Sequence, residues 1–289
     1  MSFLEPLAAA LPGLFSRTPP VEIAVVAIVK DEVHGIFEWL AHHAALGVQR
    51  FYIYENGSTD GTQRELAALP PPAEVRIIDW PMKTGQLAAY RHALSHFGHE
   101  CRWMAFIDAD EFMMPLKGET LPAILADFRH TAGLALPWAC FGSSGHDRRP
   151  AGTVLESYLH RAPDDNHLNG HVKSIVDPRR VWRWVRNPHV FLPRLGWSQK
   201  LDDGSTISPR RAGLQDPPYV AQRLRLNHYV VKSREDFEIK AARGRVSTHP
   251  LKRDAYYFEL SDRNEVFDDS ALPYAAAVRA AIARRAASG

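Results

Sequence analysis

An apolar run, Trp103 to Ile107, leads straight into Asp108, Ala109, Asp110 and Glu111. Three carboxylates this close repel one another unless a positive charge sits among them. In an extended strand, residues two apart face the same side, so Asp108 and Asp110 can aim at one point. Two hard oxygen donors that converge in this way suit Mg²⁺ or Mn²⁺, with phosphate oxygens and water completing the octahedron. The missing positive charge is therefore read as a metal ion that grips a diphosphate. The alternative is a solvated turn after an edge strand. Glu111 points the other way and could orient a neighbouring loop or act as a base.

Two further clusters carry chemistry. The loop "ENGSTDGT" offers Glu55, Asn56, Ser58 and Asp60, while Gly57 and Gly61 allow close backbone approach. Such a loop can hold a base or ribose through carboxylate and amide hydrogen bonds. It can equally be an ordinary turn that caps the next helix through Thr62. Downstream, His228 ends a strand candidate in "RLRLNHYVV" and can offer a neutral imidazole to a metal, or simply pack. Lys232 stands just before a helix N-terminus, a good place for a leaving diphosphate, where Lys232 and Ser233 would offset developing charge.

The elements that must position these groups alternate. Strand patterns at "EIAVVAIV", "RFYIY", "EVRIIDW", "WMAFID" and "GLALPWA" are separated by helical patterns with short connections. Asp31 and Thr84 read as N-caps of the first and third helices, with Gly47 and Gly98 as stops. This alternation predicts an α/β domain with a mostly parallel central sheet flanked by helices. In such sheets ligands sit beyond the carboxyl ends of the strands, and both "ENGSTDGT" and "DADEF" fall there. From residue 141 the alternation dissolves into Pro-, Gly-, Arg- and Trp-rich chain, with strand candidates at "HVKSIV" and "RLRLNHYVV". It reads as an irregular extension of the same domain that builds a second wall. "SREDFEIKAARG" is a helix with Ser233 as N-cap and Gly244 as stop. The division expected is an arm over 1–20, a domain over 21–246 (nucleotide-binding part 21–140, acceptor-side part 141–246), and a tail with a terminal helix over 247–289.

Composition narrows the class. The chain has 289 residues, 45% hydrophobic and 24% charged, as in soluble globular proteins. A net charge of +2 gives no polyelectrolyte signature for nucleic acid. Cys101 and Cys140 lie in apolar surroundings and read as buried free thiols. No run reaches the ~20 apolar residues of a membrane span, and the N-terminus, with Glu5, Pro6 and Pro12, does not read as a signal peptide. The expectation is cytoplasmic placement, with peripheral membrane contact as an option. The C-terminal helix, with Arg279, Arg284 and Arg285, is either a solvated end helix or a basic contact to an anionic surface.

Taken together, "AIVKDEVHGIFEWLAHHAALGVQRFYIYENGSTDGT", "GQLAAYRHAL", "WMAFIDADEF", "FGSSGH", "HVKSIVDP" and "LNHYVVKSREDFEIKAARG" resemble the glycosyltransferase family 2 group. They come nearest to the branch that also resembles glycosyltransferase family 92. The resemblance covers roughly residues 23–246 and implies a GT-A fold of Rossmann-like type. It implies a nucleotide-sugar donor, with UDP-sugars the first candidates, a saccharide or glycan acceptor, and Mn²⁺ or Mg²⁺. It also implies inversion, and polysaccharide biosynthesis as a setting. On this resemblance Asp108 and Asp110 hold metal and diphosphate, joined by His228. Lys30 and Glu32 line the nucleotide pocket, and Asn56, Ser58 and Asp60 form its second loop. Gln86 and Tyr90 face the donor cleft.

An inverting transfer needs a base for the acceptor hydroxyl. The family 2 group usually carries a Glu-Asp pair for this, and no clean match exists here. Glu156 ranks first by position, then Glu111 and Asp177. Trp138, Trp182, Trp184 and Trp197 are candidate sugar platforms or, more simply, wall residues. Other classes fit less well. A phosphohydrolase of the haloacid dehalogenase pattern would carry its Asp-x-Asp on an early strand. A nucleotidyltransferase needs a Gly-rich, Arg-containing loop after the first strand. A dinucleotide oxidoreductase needs G-x-G-x-x-G, which is absent. A non-catalytic carbohydrate-binding protein of the same fold would keep the cleft without turnover.

Overall fold

The computed structural model describes residues 21–207, 213–243 and 254–288. The 1–20 arm, Gly244 and the 246/247 boundary expected from sequence lie outside the described residues. The first half alternates as the pattern predicts: β1 (Val21–Val29), α1 (Ile36–Ala45), β2 (Arg50–Glu55), α2 (Thr62–Ala67), β3 (Glu74–Asp79), α3 (Gln86–His96) and β4 (Cys101–Phe106). Strand β1 is apolar almost without interruption because both of its faces are covered. It pairs in parallel with β2 and β4, and β2 pairs in parallel with β3.

The chain then departs from simple alternation. After the carboxylates comes a strand that the sequence reading passes over, β5 (Glu111–Pro115), before α4 (Leu121–Asp127) and β6 (Gly133–Cys140). The remaining elements are α5 (Val154–Ser157), β7 (His160–Arg161), β8 (Val172–Val176), β9 (Gln199–Lys200), β10 (Leu224–His228), α6 (Arg234–Ala242), α7 (Ala255–Ser261), β11 (Val266–Phe267) and α8 (Leu272–Ser288). The sheet order is β3-β2-β1-β4-β8-β6-β10-β5, with β9 beside β6. Strand β8 runs antiparallel between β4 and β6, and β5 runs antiparallel to β10 at the far edge. The sheet is therefore parallel in one half and mixed in the other. The region after residue 141 does more than wall the cleft, since it inserts β8 and β10 into the sheet.

Two of the expected helix caps are replaced. Helix α1 follows Gly35 and α3 follows Gly85, neither with a side-chain cap. Asp31 and Thr84 both sit at positive φ, in turns ahead of the helices. Ser233 does cap α6, accepting from the N–H of Asp236, and Thr120 caps α4 in the same way. The C-terminal residues pack on the common core, where the sequence suggests a separate tail. Ala275 and Val278 of α8 are buried in the same cluster as Trp39 and Leu40 of α1. Arg279 pairs with Glu156 and Arg285 with Glu65, so two arginines of this helix face protein. Cys101 and Cys140 are free and buried, and burial pushes the Cys101 thiol up to about 12. Among the described residues, no helix is long and apolar enough to cross a membrane.

Gly133 marks where β6 and β8 press closest. A Cβ there would lie 2.3 Å from the Ile175 carbonyl oxygen. Gly133→Ala should therefore cost about 1–3 kcal/mol through forced strand displacement, read as a lower urea midpoint at unchanged slope. An unchanged midpoint would mean the two strands separate freely at this point.

Candidate active site

The Asp108–Asp110 segment is the bend by which the chain leaves β4 in mid-sheet for β5 at the edge. Its two carboxylates face different partners. Asp108 accepts from Gln86 Nε2 at 2.9 Å and from Lys173 Nζ at 2.8 Å, with the Tyr90 hydroxyl 3.5 Å away. Lys173 comes from β8, in the register where Ser174 pairs with Phe106 of β4. It is almost wholly buried and also lies 3.5 Å from Glu111. Asp110 pairs with Lys240 of α6 and lies 3.7 Å from His228 Nε2. Its carbonyl accepts from the Tyr229 N–H at 2.9 Å. His228 reaches this position because it pairs with Glu111 across β10 and β5.

The charges balance. Burial pushes the Glu111 carboxyl well up, aided by Asp108 and Asp110 and opposed by Lys173. Its Oε2 accepts the Asp108 N–H at 2.8 Å, while its buried Oε1 has no partner. Burial opposes ionisation of Asp110 as well, but the Lys240 ammonium and the His228 imidazole outweigh it and hold that carboxyl well down. Asp108, 2.8 Å away, favours the charged form of Lys173 against its burial. Asp108 and Asp110 thus each face a lysine of their own. The positive charge that sequence reading assigns to a metal is supplied in this structure by Lys173 and Lys240.

Asp110 and Lys240 open onto a cavity of 190 Å³ between the β1–α1 loop and α6. Glu32, Gly35, Arg149, Lys232 and Arg243 also line it. Asp31 and Lys232, both on its wall, are non-glycine residues at φ 48° and 55°, a conformation costing on the order of 1–3 kcal/mol that concentrates at functional sites. Arg243 ties α6 to the first loop through the carbonyls of Lys30 and Asp31 and the carboxylate of Glu32.

The second loop is brought to the same edge, but many of its polar groups hold the loop itself. Glu55 accepts from Ser58 N at 2.6 Å and from Gln63. Asn56 donates to the carbonyls of Trp80 and Met82. Ser58 and Asp60 accept the N–H groups of Asp31 and Val33, which stitches the two loops together.

The candidate bases are placed elsewhere. Glu156 accepts from Thr153 at its own helix start and pairs with Arg279, on the α8 side of the molecule. It does not line the cavity. Asp177 follows the end of β8 that pairs with Met104, away from the bend, among Arg102, Arg179 and Arg180. Glu111 is fully buried behind Asp108. None of the three lines the cavity. The cavity carboxylates Glu38 and Asp236 are engaged too: Glu38 accepts from Val154 N and Leu155 N, and Asp236 from Ser233, Tyr158 and Arg149.

Lys173, Lys240 and Arg243 were missed from sequence. Only Lys173 left a signal, as a lone lysine inside the apolar strand "VKSIV", since buried lysines are nearly always paired. Among the described residues no three His, Cys, Asp or Glu side chains converge as a ready-made metal site. Asp110 and His228 offer one oxygen and one imidazole donor, and the His228 Nδ1 is buried without a partner.

The raised Glu111 carboxyl gives a signed pH dependence. Its stabilising contribution is full below the ordinary value of about 4.3 and is lost as pH rises through the elevated folded value. Glu111→Gln removes that loss. Its urea midpoint relative to wild type should therefore improve between pH 5 and pH 8, whereas a constant difference would mean Glu111 folds ionised.

The family model for glycosyltransferase family 92 matches residues 23–201. A family 92 protein of Ricinus communis is 32% identical over 243 residues, covering 79% of this chain and 38% of that protein. One of Oryza sativa subsp. japonica is 31% identical over 161 residues, covering 54% and 27%. The chain thus spans well under half the length of these relatives. Among solved structures, glucosyl-3-phosphoglycerate synthase from Mycobacterium tuberculosis, in complex with Mn²⁺, uridine diphosphate and phosphoglyceric acid, aligns at 18% identity and a TM-score of 0.29. That alignment covers 41% of this chain and 43% of the synthase, and at this score it adds nothing to the sheet order described above. With its model matched over more than half of the sequence, the chain belongs to glycosyltransferase family 92.

Proposed function

We propose that this chain transfers a sugar from a nucleotide-sugar, with UDP-sugars the first candidates, to a hydroxyl of a saccharide acceptor. The observation that carries the proposal is the Asp108–Asp110 bend, whose Asp110 shares one cavity with the β1–α1 loop and the start of α6. The nucleotide would lie against Lys30–Gly35 and the stitched second loop. Its diphosphate would face Lys232 and Lys240, whose two ammonium groups favour negative charge. As the sugar departs, the same groups stabilise the charge that builds on the diphosphate. Gln86, Tyr90 and Lys173 hold Asp108 in place from behind, so its free edge can meet sugar or ribose hydroxyls.

Mn²⁺ or Mg²⁺ fits the donor chemistry of Asp110 and His228, and these two residues would hold it. Bound there, the ion supplies further charge neutralisation to the diphosphate oxygens. Lys240 would then leave Asp110 and turn to the ligand. A second reading is favoured by the two lysines already present: Lys173 and Lys240 could carry the charge without a metal.

Calorimetric titration of UDP with Mn²⁺ and with EDTA separates the two. Metal-dependent binding is expected, and Asp110→Asn should abolish that dependence while the fold survives. Equal binding in EDTA would favour the lysine reading. Failure of UDP, GDP, CMP and dTDP alike would overturn the transferase and leave a non-catalytic member of the fold. The transfer is proposed to invert the anomeric centre, the outcome of a single in-line displacement. NMR of the product would show the opposite anomer from the donor, and a retained configuration overturns this part.

A further inference from the structure

Residues 179–197, "RRVWRWVRNPHVFLPRLGW", form a two-armed loop that none of the roles above uses. The arms are closed by hydrogen bonds from Trp182 N to Leu192 O at 2.9 Å and from Arg194 N to Arg180 O at 2.8 Å. One face is anchored. Val181, Val185, Val190 and Phe191 are buried, Arg91 donates to the Val185 carbonyl, and Ser174 donates to that of His189. The other face is open: Leu195 is 99% exposed, Trp184 58%, and Trp182 and Leu192 47% each. Exposed apolar side chains gathered on one loop mark a contact surface more often than scattered ones do.

The charge on that face has one sign. The segment holds five arginines (179, 180, 183, 186 and 194) and no carboxylate; Arg179 and Arg180 are paired with Asp177 next to it, so its open charge is that of Arg183, Arg186 and Arg194. Three of them lie over tryptophan rings: Arg180 on Trp197 at 3.8 Å, Arg186 on Trp184 at 3.9 Å, and Arg194 on Trp182 at 5.0 Å. This arrangement is poorly suited to a sugar. The rings each have an arginine over one face, and the loop's one amide, Asn187, has its oxygen taken by the N–H groups of His189 and Val190. It matches instead the requirements of a bilayer interface. Tryptophan sits at headgroup depth, leucine reaches the acyl boundary, and arginine meets anionic headgroups.

We infer that this Trp-Arg loop docks the protein on an anionic membrane surface. Arginines 183 and 186 contact lipid phosphates, while Trp184 and Leu195 enter the interface. Docking is independent of the proposed transfer reaction, because the exposed residues of the loop lie outside the cavity.

Co-sedimentation with vesicles tests it. The full chain is mixed with vesicles of phosphatidylcholine alone, or of phosphatidylcholine with phosphatidylglycerol. Binding should favour the anionic vesicles by about tenfold or more and weaken as salt rises. Leu195→Ser, which alters a wholly exposed side chain, and the pair Arg183→Gln with Arg186→Gln should each lower binding severalfold. Their circular dichroism and UDP titration should stay unchanged. The inference is overturned by absent sedimentation, by equal binding to both vesicle types, or by variants that bind like wild type. Capture of a single-stranded oligonucleotide in place of vesicles would overturn it as well, and would assign the face to a soluble polyanion.

Discussion

The structure depends on how three adjacent carboxylates are kept from repelling one another inside a folded protein. Asp108 and Asp110 each pair with one lysine, and burial pushes the Glu111 carboxyl up toward its neutral form. A buried pair gains little net stability, but loss of one partner costs about 3–5 kcal/mol. The pairs therefore act as geometric constraints. Lys173 pins Asp108 to the middle of the sheet, and Lys240 pins Asp110 to α6. With those two contacts made, β8 must lie beside β4, and α6 must lie across the end of β10. The cavity is the gap left between α6 and the β1–α1 loop, closed at one side by Arg243.

This arrangement explains why the site is assembled from both ends of the chain. Lys240 contacts Asp110 across 130 residues, and Arg243 contacts Glu32 across 211. The parallel half of the sheet brings the two loops to one edge, which sheet geometry alone predicts. The mixed half brings the cations. Strand β5 is the device that joins them: it carries the chain from the bend to the far edge, where β10 returns beside it with His228 facing Glu111.

The local part of this was legible in the sequence. Gln86, Tyr90 and Asp108 fall together in the structure, and Ser233 caps its helix. What was not legible is long-range pairing. No local pattern says that Lys240 will cross to Asp110, nor that Glu156 will turn to Arg279 on the final helix. The strand β5 was hidden because "EFMMP" is too short to show a period and follows charges that look like a turn. Glu55 and Asp60 looked available in sequence for a simple reason: a turn's own hydrogen bonds use the same oxygens that a ligand would.

The Trp-Arg loop and the carboxylate bend are physically continuous. Phe191, on the buried face of the loop, packs on Phe106 at 4.4 Å and stacks on Tyr90 at 6.4 Å. Tyr90 in turn lies against Asp108. The exposed tryptophans and the bend are therefore held by one packed aromatic layer instead of a flexible linker. A surface bound by the loop would fix the orientation of Asp108 and the carboxylate bend relative to that surface. A layer packed at interior density moves as a unit. The loop is therefore a rigid platform built onto the bend, not a lid that opens or closes over it.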